Sequence, residues 1–464
     1  MTMTELALPR RADLPAEGSS VFLLGIAGAG MRALAMALIA AGYRVSGSDR
    51  DDDAAKTLEE QGVRIFPEAD IGRLSSAALV VYSSALPETH GALLAARSAG
   101  VPTLKRARAL GALVNDMRLV AVAGTHGKTT VTAMVALAAE QSGLDPLALV
   151  GGHVPQWGAN MRPGSGDLAV VEADEYDRSF LELDPDLAVI TSLEAEHLDC
   201  YGDLETLETA FENFACRAQK LLVCADDPGA MRLAARREHA RTYGFAADAT
   251  YRVTVVHSSR SGQSCLLHTP DIQLPFRLGA PGAHNAQNAA GALAAALWFG
   301  ADSTSLAGSL EHFQGADRRL QVLFESERLV LIDDYAHHPT EVRASLGAVR
   351  SAWPGRRLIV VFQPHLYSRT RDQAAAFADA LSGADRALVL PIYAARETPI
   401  VGVDRDLIIG AAPGIEAMRP GEVRTLMSGD DPTALVFMGA GDVTALAHKA
   451  ARQASGVTTD ALGD

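Results

Sequence analysis

Short apolar runs recur along the chain, and most end in glycine, small polar residues or charge. Val21-Phe22-Leu23-Leu24 predicts a strand that runs into Gly25-Ile26-Ala27-Gly28-Ala29-Gly30-Met31. An Ala-, Leu- and Met-rich helix follows to about Ala41, and Tyr43-Arg44-Val45-Ser46 predicts a second strand leading to Gly47-Ser48-Asp49. Together they form a βαβ unit whose glycine loop faces a helix N-terminus. Ala78 to Tyr82 predicts a further strand, ending in Ser83-Ser84-Ala85. Leu119 to Ala123 predicts another, followed by a loop and a helix from Val131 to Glu140. Val170-Val171 and Leu187 to Thr191 each run into acidic residues. Beyond Gly315, strands at Leu329–Ile332, Leu358–Phe362, Ala387–Leu390 and Leu435–Met438 alternate with helical stretches. Such alternation predicts open, largely parallel α/β sheets, which collect ligands at the C-terminal ends of their strands.

A chain of 464 residues holds roughly three domains on length alone. Breaks near Asn115 and Gly315 divide it into residues 1–114, 115–314 and 315–464, with hinges expected at both. The net charge of −15 argues against a nucleic-acid surface. Apolar content of 48% and a mean hydropathy of +0.08 suit a globular cytoplasmic enzyme. No membrane-length apolar run and no cleavable leader are apparent. Cys200, Cys216, Cys224 and Cys265 show no metal or redox spacing, so reduced thiols are expected. A frayed tail is expected after Ala451.

The loop Gly124-Thr125-His126-Gly127-Lys128-Thr129-Thr130 carries the clearest chemistry. Glycines let backbone N–H groups approach phosphate oxygens, and the helix N-terminus adds partial positive charge. Lys128 can reach the outer phosphates, and Thr129 can set its hydroxyl on Mg²⁺. A nucleoside triphosphate is the expected ligand. The usual loop has glycine where this chain has Val122.

Other stretches gain meaning beside that cradle. Glu172-Ala173-Asp174-Glu175 and Glu194-Ala195-Glu196-His197-Leu198-Asp199 offer carboxylates and an imidazole to Mg²⁺. Asn285 and Asn288 lie one helical turn apart, where amides can read an adenine edge or cap backbone. Two strand ends in the third segment, Asp333-Asp334-Tyr335-Ala336-His337-His338-Pro339-Thr340-Glu341 and Phe362-Gln363-Pro364-His365-Leu366-Tyr367-Ser368-Arg369-Thr370, look like one site. The N-terminal spacing G-x-x-G-x-G differs from the dinucleotide G-x-G-x-x-G, and Asp49 stands where a carboxylate could hold a ribose hydroxyl.

In this order and over essentially the whole chain, these stretches resemble the Mur ligases. His-His-Pro-Thr-Glu and Phe-Gln-Pro-His match the muramate-accepting branch. The resemblance implies an N-terminal Rossmann-like UDP-binding domain, a central P-loop ATPase-like domain and a C-terminal Rossmann-like domain. It implies ATP-dependent joining of L-alanine to the lactyl carboxylate of UDP-N-acetylmuramate through an acyl phosphate, in peptidoglycan precursor synthesis. By position, Gly124, Thr125, His126, Gly127, Lys128, Thr129 and Thr130 hold ATP, with Asn285, Asn288, Arg318 and Asp334. Thr129, Glu172 and His197 hold Mg²⁺, of which two ions are expected. Gly25, Ala27, Gly28, Ala29, Gly30, Met31, Asp49, Ser83 and Ser84 take the UDP-sugar. His337, His365 and Arg369 take the amino acid, and Lys128, Glu172, His197 and Arg369 are the catalytic set.

Three departures qualify the match. Leu366 replaces a common basic residue, which shifts carboxylate recognition toward Arg369. Ser192 replaces an asparagine, and with it contacts around the metal. Related ligases hold a second Mg²⁺ with a carbamylated lysine, and here Glu212, ahead of Lys220, is the expected substitute. The principal alternative is the recycling ligase that attaches a tripeptide to the same sugar nucleotide. A folate polyglutamylating ligase, a nicotinamide-dependent dehydrogenase and a non-catalytic ATP module fit fewer of these stretches. Monomer and homodimer both remain open.

Overall fold

The computed structural model describes residues 7–50, 58–66, 71–395, 397–419, 421–429 and 431–456, without the side chains of 71–73, Leu198 and Asp199. The tail expected to fray after Ala451 is helical as far as Ala454, and its residues 457–464, like the side chain of Asp199 in the second acidic cluster, lie outside the described ones.

The described residues form three sheets. The first is fully parallel, in the order β3-β2-β1-β4-β5, with β1 Ser20–Leu24, β2 Arg44–Ser48, β3 Arg64–Ile65, β4 Leu79–Tyr82 and β5 Thr103–Lys105. The second has the order β15-β14-β13-β12-β11-β10-β6-β9-β7-β8. Its strands are β6 Arg118–Ala123, β7 Leu147–Val154, β8 Ala159–Arg162, β9 Leu168–Glu172, β10 Leu187–Ile190, β11 Lys220–Cys224, β12 Arg241–Gly244, β13 Tyr251–Ser259, β14 Gly262–His268 and β15 Gln273–Leu278. The third runs β16-β17-β21-β18-β19-β20, with β16 Gln321–Glu325, β17 Leu329–Asp334, β18 Arg357–Phe362, β19 Arg386–Val389, β20 Ile415–Ala417 and β21 Thr433–Met438. β16 is its antiparallel edge.

The helices that matter below are α1 Ala29–Ala40, α2 Arg106–Val114, α3 Lys128–Gln141, α4 Leu204–Arg217, α5 Ala283–Trp298, α6 Pro339–Ala352, α7 Tyr367–Leu381, α8 Glu422–Met427 and α9 Val443–Ala454. Among the described residues no helix is long and apolar enough to cross a membrane. All four cysteines are free thiols.

Two compact units result. One comprises residues 1–254, 266–276 and 287–310, and the other 255–265, 277–286 and 311–464. In the first, one apolar core joins Val21 and Leu23 of β1 to Leu119 and Ala121 of β6, so the first two sheets share buried surface. Asn115, where a hinge is expected, lies inside this unit. Its amide instead donates to Pro9 O and Glu182 O at 2.9 Å each and accepts from Asp184 N at 3.0 Å, a buried clamp. In the second unit, α6 and α7 pack on one face of the third sheet, and α8 and α9 on the other.

Strands outrun their apolar runs where a partner strand continues beside them. β2 takes in Gly47, whose missing Cβ would sit 2.6 Å from Leu23 O. β17 takes in Asp333 and Asp334, paired in register with Phe437 and Met438. The β13–β15 meander adds to the expected elements, although β15 alternates exposed and buried positions throughout. β13 buries only its first few side chains, so alternation fades toward its end.

Candidate active site

β6 lies between β10 and β9 and is parallel to both. The loops after these three strands therefore emerge at one edge, although they are far apart in sequence. The loop after β6 needs its glycines. Gly124 has φ +136°, and an added Cβ would lie 2.2 Å from Thr191 Oγ1. Gly127 caps α3 in the left-handed region at φ +80°, with Asn288 Oδ1 2.9 Å from the position of a Cβ. Ser192 props the loop from β10: its carbonyl accepts from Thr125 N at 3.0 Å and its hydroxyl from His126 N at 2.9 Å. Thr125 Oγ1 in turn accepts from Glu194 N at 2.9 Å. This chain's serine thus braces the phosphate loop.

Lys128 curls back over the loop. Its ammonium donates to Gly124 O at 2.6 Å and to Glu175 Oε1 at 2.9 Å. Burial would lower its pKa, but the carboxylates of Glu175, Asp174 and Glu172 outweigh burial and raise it, so Lys128 stays charged. Glu175 is 1% exposed, and its Oε1 also lies 3.7 Å from His197 Nε2. Thr129 Oγ1 donates to Glu172 Oε1 at 3.1 Å, and Gly151 N donates to Glu172 Oε2 at 2.6 Å. Thr129 and Glu172 are thus adjacent. His197 groups instead with Asp174 and Glu175, whose ligand atoms and its own all lie within 4.8 Å. Carboxylate and hydroxyl oxygens with one imidazole suit a hard divalent cation. Thr130 is buried in the first turn of α3.

Glu212 does not join this group. It sits on α4, and its carboxylate pairs with Arg236 at 2.7 Å on the surface. Lys220 begins β11, with its ammonium over the Trp298 ring. Helix periodicity turns Glu212 outward, which counting along the chain could not reveal.

A cleft of about 320 Å³ opens between the first two sheets. Ala29, Gly30, Ser83 and Ser84 line it together with Glu172 and Asp174. Gly25 has φ +78° and abuts Ser83, and Asp49 accepts from Ala27 N at 2.8 Å, holding the glycine loop closed. Gly28 caps α1. Met31 does not face the cleft. It is 2% exposed and packs in the core, because the first turn of α1 points it at the sheet. Asn160 on β8 donates to Ala29 O at 2.8 Å. Arg106, at the start of α2, reaches the cleft and touches the space above Gly30. Sequence reading passed over Arg106, Asn160 and the separate importance of Glu175. Arg106 follows the end of β5, a signal of the kind used elsewhere in the chain.

In the second unit, β17 and β18 flank β21, so their C-terminal loops are neighbours. The His337 and His365 rings lie 6.0 Å apart. His337 Nδ1 is 2.9 Å from Tyr335 O and 3.2 Å from Glu341 Oε2. His365 stacks on Tyr393 at 5.8 Å. Arg369 sits in the first turn of α7. Burial pushes its guanidinium down to about 10, partly opposed by Glu397. Glu397 accepts from Ser368 N at 3.0 Å and from the Ser368 hydroxyl, closing the α7 N-terminus. Arg318 lies over Tyr335 at 4.8 Å and donates to Gly439 O at 2.6 Å. Asp334 faces inward: it accepts from Ala336 N at 2.7 Å and from Leu320 N and Ser345 Oγ at 3.0 Å each. Burial raises its pKa to about 6. Asn285 and Asn288 sit one turn apart on α5, and Asn285 donates to Pro281 O at 2.7 Å.

Three known sequence families match the chain: "Mur ligase family, catalytic domain" over residues 21–118, "Mur ligase middle domain" over 122–296 and "Mur ligase, glutamate ligase domain" over 318–444. The UDP-N-acetylmuramate–L-alanine ligase of Arthrobacter sp. is 45% identical over 84% of this chain and 84% of its own length. That of Mycolicibacterium vanbaalenii is 40% identical over 95% and 97%. The crystal structure of UDP-N-acetylmuramate-alanine ligase MurC from Thermotoga maritima is 26% identical, with a TM-score of 0.79 over 95% of this chain and 100% of that one. A murein peptide ligase from Psychrobacter arcticus, at 22% identity and a TM-score of 0.66 over 96% and 100%, shares the fold. Three matched domains, high identity over nearly full length and a phosphate loop flanked by acidic strand ends agree: the chain belongs to the Mur ligase family.

Proposed function

We infer that the chain is an ATP-dependent amide ligase that joins L-alanine to the lactyl carboxylate of UDP-N-acetylmuramate, in peptidoglycan precursor synthesis. The observation that carries the chemistry is the seat of Lys128, a partly buried cation held over a glycine loop beside three carboxylates. Relatives at 40–45% identity named for L-alanine favour it over the tripeptide-recycling ligase, whose likeness at 22% concerns fold alone. The three functional domains are taken as residues 1–114, 115–314 and 315–464, in the cytoplasm.

A carboxylate acylates an amine only once its oxygen can leave. Phosphorylation by ATP provides that, and the amine then displaces phosphate. Two anions must approach for the first step, and Lys128 offsets their repulsion. Thr129 and Glu172 would hold one Mg²⁺, and Asp174, Glu175 and His197 a second. Bound there, Mg²⁺ supplies Lewis-acid stabilisation of phosphoryl charge. The loop N–H groups orient the phosphates, and Asn285, Asn288 and Arg318 serve the nucleoside end, while Asp334, turned inward, positions the backbone after β17. Ser83, Ser84, Gly30 and Arg106 receive the UDP-sugar, with Asp49 fixing the loop that admits its diphosphate. Arg369 pairs with the alanine carboxylate, flanked by His337 and His365.

The test is phosphate release from ATP and Mg²⁺ with UDP-N-acetylmuramate and, separately, L-alanine, glycine, L-serine or the tripeptide. Release that requires L-alanine and is lost in Lys128→Ala is expected. Release with the tripeptide alone would move the protein to recycling.

A further inference from the structure

The second unit also carries a groove of about 490 Å³ that shares no residue with the sites above. It opens beside α8 and α9, the helices on one face of the third sheet. α7, which carries Arg369, packs on the opposite face. The floor is aliphatic, made by Met418, Val423, Leu446 and Ala450. The rim carries Arg405, Arg419, Arg424 and Lys449.

The charge pattern is one-sided. The chain has 56 acidic and 41 basic residues, yet no carboxylate stands among the described residues that line the groove. Glu416 and Glu422, the acids nearest Arg419 in sequence, pair with Arg386 at 2.8 and 2.7 Å outside the lining, and Glu422 also accepts from Arg419 N at 2.9 Å. Arg405 is fixed in place, donating to Val389 O at 3.1 Å. Arg419, Arg424 and Lys449 are exposed. Four like charges around an aliphatic floor repel one another, while the floor stays in contact with water. One molecule with an apolar body and an anionic head relieves both. No aromatic face lines the groove to stack a nucleobase.

We propose that this groove binds a small anionic amphiphile, a carboxylate or phosphate on an aliphatic body. The full-length chain is titrated calorimetrically with decanoate below its micelle-forming concentration, with and without saturating ATP and Mg²⁺. Decanol, inorganic phosphate and vesicles of anionic phospholipid are run in parallel. One decanoate per chain is expected, with decanol and inorganic phosphate each far weaker. The exposed double variant Arg419→Glu/Lys449→Glu should weaken decanoate roughly tenfold. Arg452→Glu, an exposed charge reversal outside the lining, should leave it unchanged. Equal affinity in wild type and the double variant, loss of binding when ATP is present, or binding to vesicles without binding to monomeric decanoate would each overturn the proposal.

Discussion

Glu175→Gln tests how the phosphate loop is held when no nucleotide fills it. Glu175 is almost fully buried, and both of its oxygens lie 2.9 Å from the Lys128 ammonium. Removing one member of a fully buried ion pair costs about 3–5 kcal/mol, because the remaining charge loses its partner. Here the cost is smaller. The Lys128 side chain keeps 13% exposure and the Gly124 carbonyl, and glutamine retains one acceptor. We expect about 2 kcal/mol. That lowers the thermal midpoint of a unit of this size by about 3–4 °C. ATP should reverse much of the loss, because its phosphates supply the anion that Lys128 has lost, and a ligand bound to the folded state alone stabilises it. Calorimetric midpoints of wild type and variant, with and without saturating Mg-ATP, decide the matter. An unchanged midpoint without ATP would refute the pairing as a stabilising contact. A gap of equal size with ATP would refute the exchange of Glu175 for phosphate.

Other substitutions probe separate links. Gly124→Ala forces a Cβ to 2.2 Å from Thr191 Oγ1, so ATP affinity measured by equilibrium binding should fall at least about tenfold while the midpoint drops by only a few degrees. Glu212→Gln removes a surface pair with Arg236 worth about 0–1 kcal/mol, and the Mg²⁺ dependence of phosphate release should not change. His284 sits in the first turn of α5, and burial, aided by the charge of Arg319 just before β16, pushes it down to about 4 from 6.5, so the unfolded chain takes up a proton that the folded form refuses. Stability is therefore lost as pH falls from about 6.5 to about 4, and His284→Gln should flatten that slope in midpoints measured against pH. Asp334, raised to about 6, acts in the opposite sense as pH rises, so its own variant serves as the control.

Much of this molecule is written locally. Glycines at 124 and 127 followed by Lys128 announce a phosphate loop, because turn geometry and helix start depend on adjacent residues. Apolar runs ending in Ser83-Ser84, Glu172 or Asp333-Asp334 mark strand ends for the same reason. Of the β13–β15 meander, β13 loses its alternation toward its end, but β15 alternates strictly from Gln273 to Leu278, a local signal that sequence reading passed over. Met31 and Glu212 could not be placed by counting, since a helix sends neighbouring side chains to opposite faces.

The sequence by itself determined the α/β class, the phosphate loop and the family's chemistry, through short-range patterns that any fold would keep. Which groups meet was decided by strand order. β10-β6-β9 places Ser192, Lys128 and Glu175 at one edge, and β17-β21-β18 places His337 beside His365. The basic-rimmed groove likewise exists only because α8 and α9 fold onto one face of the third sheet. Burial of apolar surface selects that arrangement across the whole chain, and no local spacing encodes it.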